Sequence, residues 1–548
     1  MIRLLCAASL LALAACGGGE PAAPKSTAWE VTEFIGPSPF HGLHGLAVEP
    51  DGTVLAGSVV GQAIYAVNPT TGDVTERLGP PNGMADDIAF GPNGEMAWTG
   101  YLTGKVFIQD KAGKEGGSEP RMISSGLPGS NSLAFTKDGK LYFTQVFLGD
   151  ALYEADVTGK QPARLIRKDL GGLNGFEIGP DGMIYGPLWF KNAIVKVDPK
   201  NGQDTVVAPG FQIPAAANFG PDGNLYAIDT KSGEVKKIDM KTKAVSVITT
   251  LPPALDNLAI APDGTIYVSN MAEASIFAVN PASGEVRKVV SGPLATPTDI
   301  VLTDGPEGEK IHVADTFAYR VIDTASKAIT DPLRMYRDET ENQLGIGAGK
   351  SKVLITSWAA GMVQVVDRAT GAAVMHHGFA APSDAIELDD GRMFALEAAS
   401  GTIRPVQTEG DTPPAPVVQG LNAPVSMVDA GGGKAYVTET TGALALVDLA
   451  SGEVTRVLEG LEGPEGVDIG ADGRVYVAEA KAGRLIAYDP KDKSKTVIAE
   501  GLKTGLPAAE GTLPAYTTTG VAVSKKDGSV YVASDITNAI YQIKPPAK

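Results

Sequence analysis

The stretch LNGFEIGPDGMIYGPLWFKNAIVKVD, residues 173–198, decides the fold. Apolar residues alternate through 175–178, 183–186 and 193–197, and the breaks between these runs carry turn chemistry: Pro180-Asp181-Gly182, the aromatic loop Leu188-Trp189-Phe190, and Asp198-Pro199. Alternation at period two between such breaks predicts three short antiparallel strands.

The first turn recurs along the chain. PDG or a near relative stands at Pro50-Asp51-Gly52, Pro92-Asn93-Gly94, Lys137-Asp138-Gly139, Pro221-Asp222-Gly223 and Pro262-Asp263-Gly264, spaced about 41–45 residues apart, and worn copies continue to Asp527-Gly528. A period of this length with several strands per unit is the mark of propeller blades. Twelve units exceed the ~4–8 blades of one ring, so the expected fold is all-β, with two consecutive six-bladed β-propellers. A fourth strand follows most triplets, as at 203–208 and 453–458. Residues 29–35 form such a strand with no triplet before them, and the last unit, 519–543, lacks one. The expectation is therefore that 29–35 completes the blade of 257–279 and that 285–290 completes the blade of 520–543. Each ring would then be closed by an N-terminal outer strand. The domains follow as a signal at 1–15, a tether at 16–27, a first propeller at 28–282 and a second at 283–548.

The first 15 residues pair a basic start, Arg3, with a short Leu/Ala-rich run, too short for the ~20 residues of a membrane span. The run ends Leu13-Ala14-Ala15-Cys16, which resembles a bacterial lipobox and implies lipidation of Cys16, followed by a flexible Gly/Pro/Ala leash. The other reading is an ordinary signal cut at an A-x-A site. Gly17 lacks the Asp that commonly signals inner-membrane retention, so the expected destination is the periplasmic side of the outer membrane, with membrane contact through the anchor alone. The only other cysteine is Cys6, so the body has no disulfide. Loss of residues 1–15 moves the net charge from −18 to −19, a surface that repels nucleic acid.

Antiparallel blades put the start of each inner strand on one face of the ring. In the first ring those positions read His44, Asp86, Asn131, Asn174, Ala215 and Asp256, beneath loops holding Tyr101, Phe147, Trp189, Phe190 and Met271. Polar groups converging under an aromatic rim describe a binding pocket. The plainer readings are Asn and Asp capping turns and aromatics packing between blades. The second ring reads Thr298, Asn342, Asp384, Val425, Glu465 and Thr519, of which Asn342, Asp384 and Glu465 are candidate ligands, with Phe317, Tyr319 and Trp358 above it and His376-His377 in a connection on the same face. No nucleophile elbow, P-loop, dinucleotide fingerprint or HExxH motif is evident.

LNGFEIGPDGMIY, LDNLAIAPDGTIYV and PEGVDIGADGRVYVAE resemble blades of the six-bladed propeller superfamily of gluconolactonases, regucalcin, paraoxonase-type lactonases and strictosidine synthase; NHL-type repeats are similar at this level. The resemblance implies a divalent ion at the channel mouth, held here by Asn131, Asn174 and Asp256, with calcium the expected ion. His44 stands where that family carries Glu; ligation by His44 would favour zinc or iron. The implied activity is metal-dependent hydrolysis of a small-molecule ester or lactone, with Asp86 or His44 taking a proton from water and Tyr101, Phe147, Trp189 and Phe190 contacting substrate. Two alternatives stand beside it: a non-enzymatic propeller scaffold binding a ligand or an envelope protein, and a lyase or condensing enzyme like strictosidine synthase.

Overall fold

The computed structural model describes residues 28–111, 118–407 and 413–546, and the backbone of 25–26. The signal, most of the tether and Cys16 lie outside the described residues. Among the described residues the chain is all-β: twelve antiparallel sheets, most of four strands, succeed one another along it. No helix among the described residues is long and apolar enough to cross a membrane.

The repeated turn explains each hairpin. The Asp181 carboxylate accepts from the Met183 N–H (3.2 Å), Asp222 from Asn224 (3.1 Å) and Asp263 from Thr265 (2.9 Å). Gly182, at φ +76, takes the left-handed turn position that a side chain would strain. The second strand of each sheet is sandwiched between neighbouring blades. Ile184–Leu188 and Ile266–Asn270 are buried at every position, whereas the outer strand Arg164–Lys168 is half-exposed.

Inner strands contact one another in two closed cycles. One runs through Leu46–Val48, Ala85–Phe90, Ser130–Phe135, Glu177–Ile178, Pro214–Phe219 and Leu255–Ile260, and returns to Leu46–Val48. The other runs through Asp299–Thr303, Ile346–Ala348, Pro382–Glu387, Pro424–Gly431, Pro464–Ile469 and Val521–Val523, and returns to Asp299–Thr303. Glycines let the strands close on the axis: a Cβ on Gly45 would meet the Asp86 carbonyl oxygen at 2.4 Å, and one on Gly345 the Ser383 oxygen at 1.9 Å.

A recurring carboxylate ties each ring. Asp87 accepts from Leu133 N, Asp299 from Ile346 N, Asp384 from Met427 N and Asp468 from Val523 N, in each case the inner strand of the next blade. Asp384, a ligand candidate by sequence, is one of these staples. It also accepts from Ala385 N at 2.7 Å and from the Ser426 hydroxyl at 3.2 Å.

Closure differs from the expected pairing. Val286–Val290 pairs with Ser275–Val279, so the first ring completes its own last blade and carries no N-terminal outer strand. Glu30–Ile35 instead pairs with Ile540–Lys544 and closes the second ring. The reason is local. The Asn280 to Glu285 turn closes with Asn280 N donating to Glu285 O and Gly284 N to Asn280 O, both 2.9 Å, and short loops close at the least entropic cost. The first sheet series thus runs past the expected 282/283 boundary and leaves the final blade to recruit the early strand. His376 and His377 also differ from expectation: they end the outer strand Ala373–His377, away from the channel mouth. Tyr319 is not on a rim; it stacks on His312, whose Nδ1 lies 2.6 Å from the Tyr319 hydroxyl.

The rings meet through the faces that carry the starts of their inner strands. Ser38 N donates to Thr537 O (3.0 Å), His41 Nε2 lies 2.8 Å from Asp535 O, and Arg320 joins Asp315 to the Ala272 carbonyl. The long connection of the second ring between Ser494–Glu500 and Val521–Val523 reaches across. Ala509 packs with Val59 and Met84, and Pro507 O accepts from Gln62 Nε2 at 2.6 Å.

Candidate functional site

His44, Asp86 and Asp256 converge at the mouth of the first ring. Among the described residues they form the one group of three or more His, Cys, Asp or Glu whose ligand atoms all lie within 4.8 Å of each other. His44 Nδ1 is 3.1 Å from Asp256 Oδ2 and 3.6 Å from Asp86 Oδ1. A carboxylate at Asp256 only accepts, which puts the proton on Nδ1 and, in the neutral ring, the lone pair on Nε2. His44 Nε2 is buried without a hydrogen-bond partner. Burial works against charge on His44, but the Asp256 hydrogen bond and the Asp256 and Asp86 charges outweigh it and raise its pKa. Burial, together with the Asp256 and Asp87 charges and against the pull of His44, holds Asp86 well above the ordinary carboxylate range.

Asn131 and Asn174 adjoin one another through Ser132, whose hydroxyl bonds Asn131 Oδ1 at 2.8 Å and Asn174 Oδ1 at 3.0 Å. Gly175 N also donates to Asn174 Oδ1 at 2.9 Å. Both asparagines are buried, at 3% and 6% exposure; Asn131 Oδ1, with one donor, keeps an acceptor site, whereas Asn174 Oδ1 already accepts from two. Sequence reasoning passed over Ser132, since a serine inside a strand carries no periodic signal. The inner strands of the first ring also line a cavity of about 260 Å³, among whose lining residues are Asp87, Glu177, Asn218 and Asn257. Asn257 Nδ2 donates to Asp87 at 3.2 Å.

The rim forms as one contact chain. Phe147 meets Trp189 edge-on at 5.1 Å between centroids and Phe190 at 5.7 Å, and Trp189 meets Tyr336 at 5.8 Å. Trp189 is buried, while Phe147 and Phe190 are about half exposed. Tyr101 lies near the acids: burial, then the Asp86 charge, Tyr336 and the Asp256 charge push its hydroxyl pKa up. Tyr336 was not foreseen. It sits in a second-ring connection that lies outside the repeated pattern.

The comparisons with known proteins agree with this architecture. Residues 151–315 match the SMP-30/Gluconolactonase/LRE-like region, and residues 448–486 match the strictosidine synthase-like N-terminal family. The first match includes Asn174 and Asp256. No curated protein matches the chain. Among solved structures, the GH74 xyloglucanase from Xanthomonas campestris aligns over 94% of this chain and all of that one at 12% identity with a TM-score of 0.50, which shows the fold alone. The tricorn protease aligns over 90% of this chain and 46% of that one, at 14% identity and TM-score 0.36. The chain is a β-propeller protein similar to the gluconolactonase and strictosidine synthase-like families.

Proposed function

We propose that the first ring is a metal-dependent hydrolase of the lactonase or esterase type, with its site at the channel mouth. The observation that carries this reading is the convergence of His44, Asp86 and Asp256 within 4.8 Å. The donor set fits a divalent ion. His44 among the oxygens shifts preference from calcium toward zinc, iron or manganese. Asp256, Asn131, Asn174 and His44 would hold the ion, which would polarise the carbonyl oxygen of an ester or lactone. Asp256 also orients the His44 ring through Nδ1. That engagement leaves Asp86 to take the proton from the attacking water. Tyr101, Phe147, Trp189 and Phe190 receive the substrate.

Metal content by mass spectrometry, with a lactone and ester screen, tests this. One ion per chain, lost together with hydrolysis in Asp256→Ala and His44→Ala, supports it. Full metal content and activity in both variants would overturn it. Lipidation of Cys16 and a periplasm-facing outer-membrane location belong to the same proposal; loss of fatty-acid labelling in Cys16→Ser is the expected result.

A further inference from the structure

Tyr336 occupies an unusual place. Its backbone is left-handed, at φ +68, a conformation costly for a bulky side chain. The segment holding it is tightly closed: Asp338 N donates to Arg334 O at 2.8 Å, and Arg334 N donates to Asp338 Oδ2 at 2.9 Å. Arg334 itself, 5% exposed, reaches across to the first ring. Its Nε donates to Pro253 O (3.2 Å) and its terminal nitrogens to Glu273 Oε1 and Asn270 Oδ1 (3.3 Å each). Met335 N bonds Phe317 O at 3.0 Å. Tyr336 is thus the tip of a loop pinned on both sides.

The tip lies against the rim of the first ring, in contact with Trp189. Tyr336 packs on the apolar groups around Leu43 and Met271 and on those around Trp189 and Leu255, and it is only partly buried. Phe147, on the other side of Trp189, is also left-handed, at φ +67. Two aromatic residues in a disfavoured conformation therefore flank one tryptophan, meeting it edge-on at 82° and 72°. Trp189 itself is buried, while Phe147 is about half exposed and Tyr336 partly so, and these two rings present the accessible aromatic surface of the group. Packing alone does not require this, since glycine or asparagine takes the same backbone without strain.

We propose that Tyr336, supplied by the second ring, is a specificity-determining residue of the first ring's site, forming with Trp189 and Phe147 a subsite for the aromatic part of an aryl-bearing substrate. The second ring is then a wall of the site and not a separate module. The catalytic consequence rests on the hydrolase reading; the binding does not.

The test uses the full protein and two lactones of one ring size, δ-valerolactone and its benzo-fused counterpart. Tyr336→Gly removes the ring and suits the backbone; Tyr336→Asn is the second such variant, and the one melting nearer to wild type is used. The expected result is a loss of about tenfold or more in kcat/KM for the benzo-fused lactone, through KM, with δ-valerolactone changed less than about twofold and Tyr336→Phe near wild type. Equal losses on both lactones, or none, would overturn the proposal. If neither lactone is turned over, the hydrolase reading fails alone, and quenching of Trp189 fluorescence by the benzo-fused lactone decides. Quenching that Trp189→Phe abolishes and Tyr336→Gly weakens about tenfold supports the subsite. No quenching, or equal quenching without Tyr336, refutes it.

Discussion

Phe34→Ala should open the second ring and leave the first intact. Phe34 sits on the closing strand at 5% exposure, meeting Tyr531 edge-on at 5.1 Å, with Lys327 Nζ 5.0 Å over its ring. It packs in one apolar cluster with Leu294, Ile300, Ile311 and Ile540, so its loss is felt on both sides of the closing blade. A buried Phe→Ala change costs about 3–5 kcal/mol, the lost transfer energy plus a cavity that a sheet stapled by backbone hydrogen bonds fills poorly. At about 1.4 kcal/mol per tenfold, local opening should become roughly 100- to 5,000-fold more frequent. Amide hydrogen exchange followed by mass spectrometry reads this directly. Protection should fall in Val521–Val523, Val530–Ala533 and Ile540–Lys544, and stay unchanged in Ile266–Asn270 and Ser275–Val279. Loss of protection in the latter pair would refute the observed closure and restore the pairing expected from sequence.

Gly45→Ala would drive a Cβ into the Asp86 backbone at 2.4 Å; the expected outcome is destabilisation by about 1–3 kcal/mol, read by urea melts, with displacement of the His44 cluster and loss of bound metal. Asp384→Ala would strip the acceptor from Met427 N and Ala385 N, costing about 2–6 kcal/mol at ~1–3 per orphaned group, while Asp384→Asn should recover part of that. Burial pushes Glu177 up to about 7 and, with the Asp535 charge, Glu465 up to about 8. Groups raised in the fold stabilise it fully below about 4.5 and lose that contribution as pH rises to the folded values, so they lower the urea midpoint progressively from about pH 4.5 to about 8. Glu465→Gln should flatten that slope. Burial pulls His41 and His312 down to about 4; their contribution is present above 6.5 and lost as pH falls toward 4, so between about 4.5 and 6.5 they offset the carboxyl slope and the net fall in the midpoint should stand out between pH 6.5 and 8.

The blades were legible because each needs the same turn: an Asp that bonds the backbone two residues on, then a left-handed glycine, and these leave a period in the chain. The cluster was half legible. Position before the inner strand picked out His44, Asp86 and Asp256, but could not divide roles among them, since which carboxylate faces the imidazole depends on ring geometry. The same reading raised Asp384 as a ligand, because a staple between blades and a metal ligand use one residue type at nearly one position. Closure at 285–290 is not legible from strand bookkeeping alone, because an unpaired early strand and an incomplete last blade fit two pairings, and the short turn at Asn280–Glu285 decides for the local one. Tyr336 left no trace, since a residue in a non-repeating connection has no register to betray it.

The strand that seals the second ring is also among the first parts of the body to be made. About 500 residues separate Ile35 from its partner Ile540, roughly 25–100 s of synthesis at ~5–20 residues per second. Throughout that interval Glu30–Ile35 has no mate, while the first ring, complete once Val290 has emerged, can fold as an insert. The waiting edge is short, at six residues, and carries Glu30 and Glu33, features that discourage mispairing with other nascent chains. A permuted chain, with its old ends joined and new ends opened between 291 and 298, would make the closing strand directly after its partner and should reach the native state with fewer aggregates.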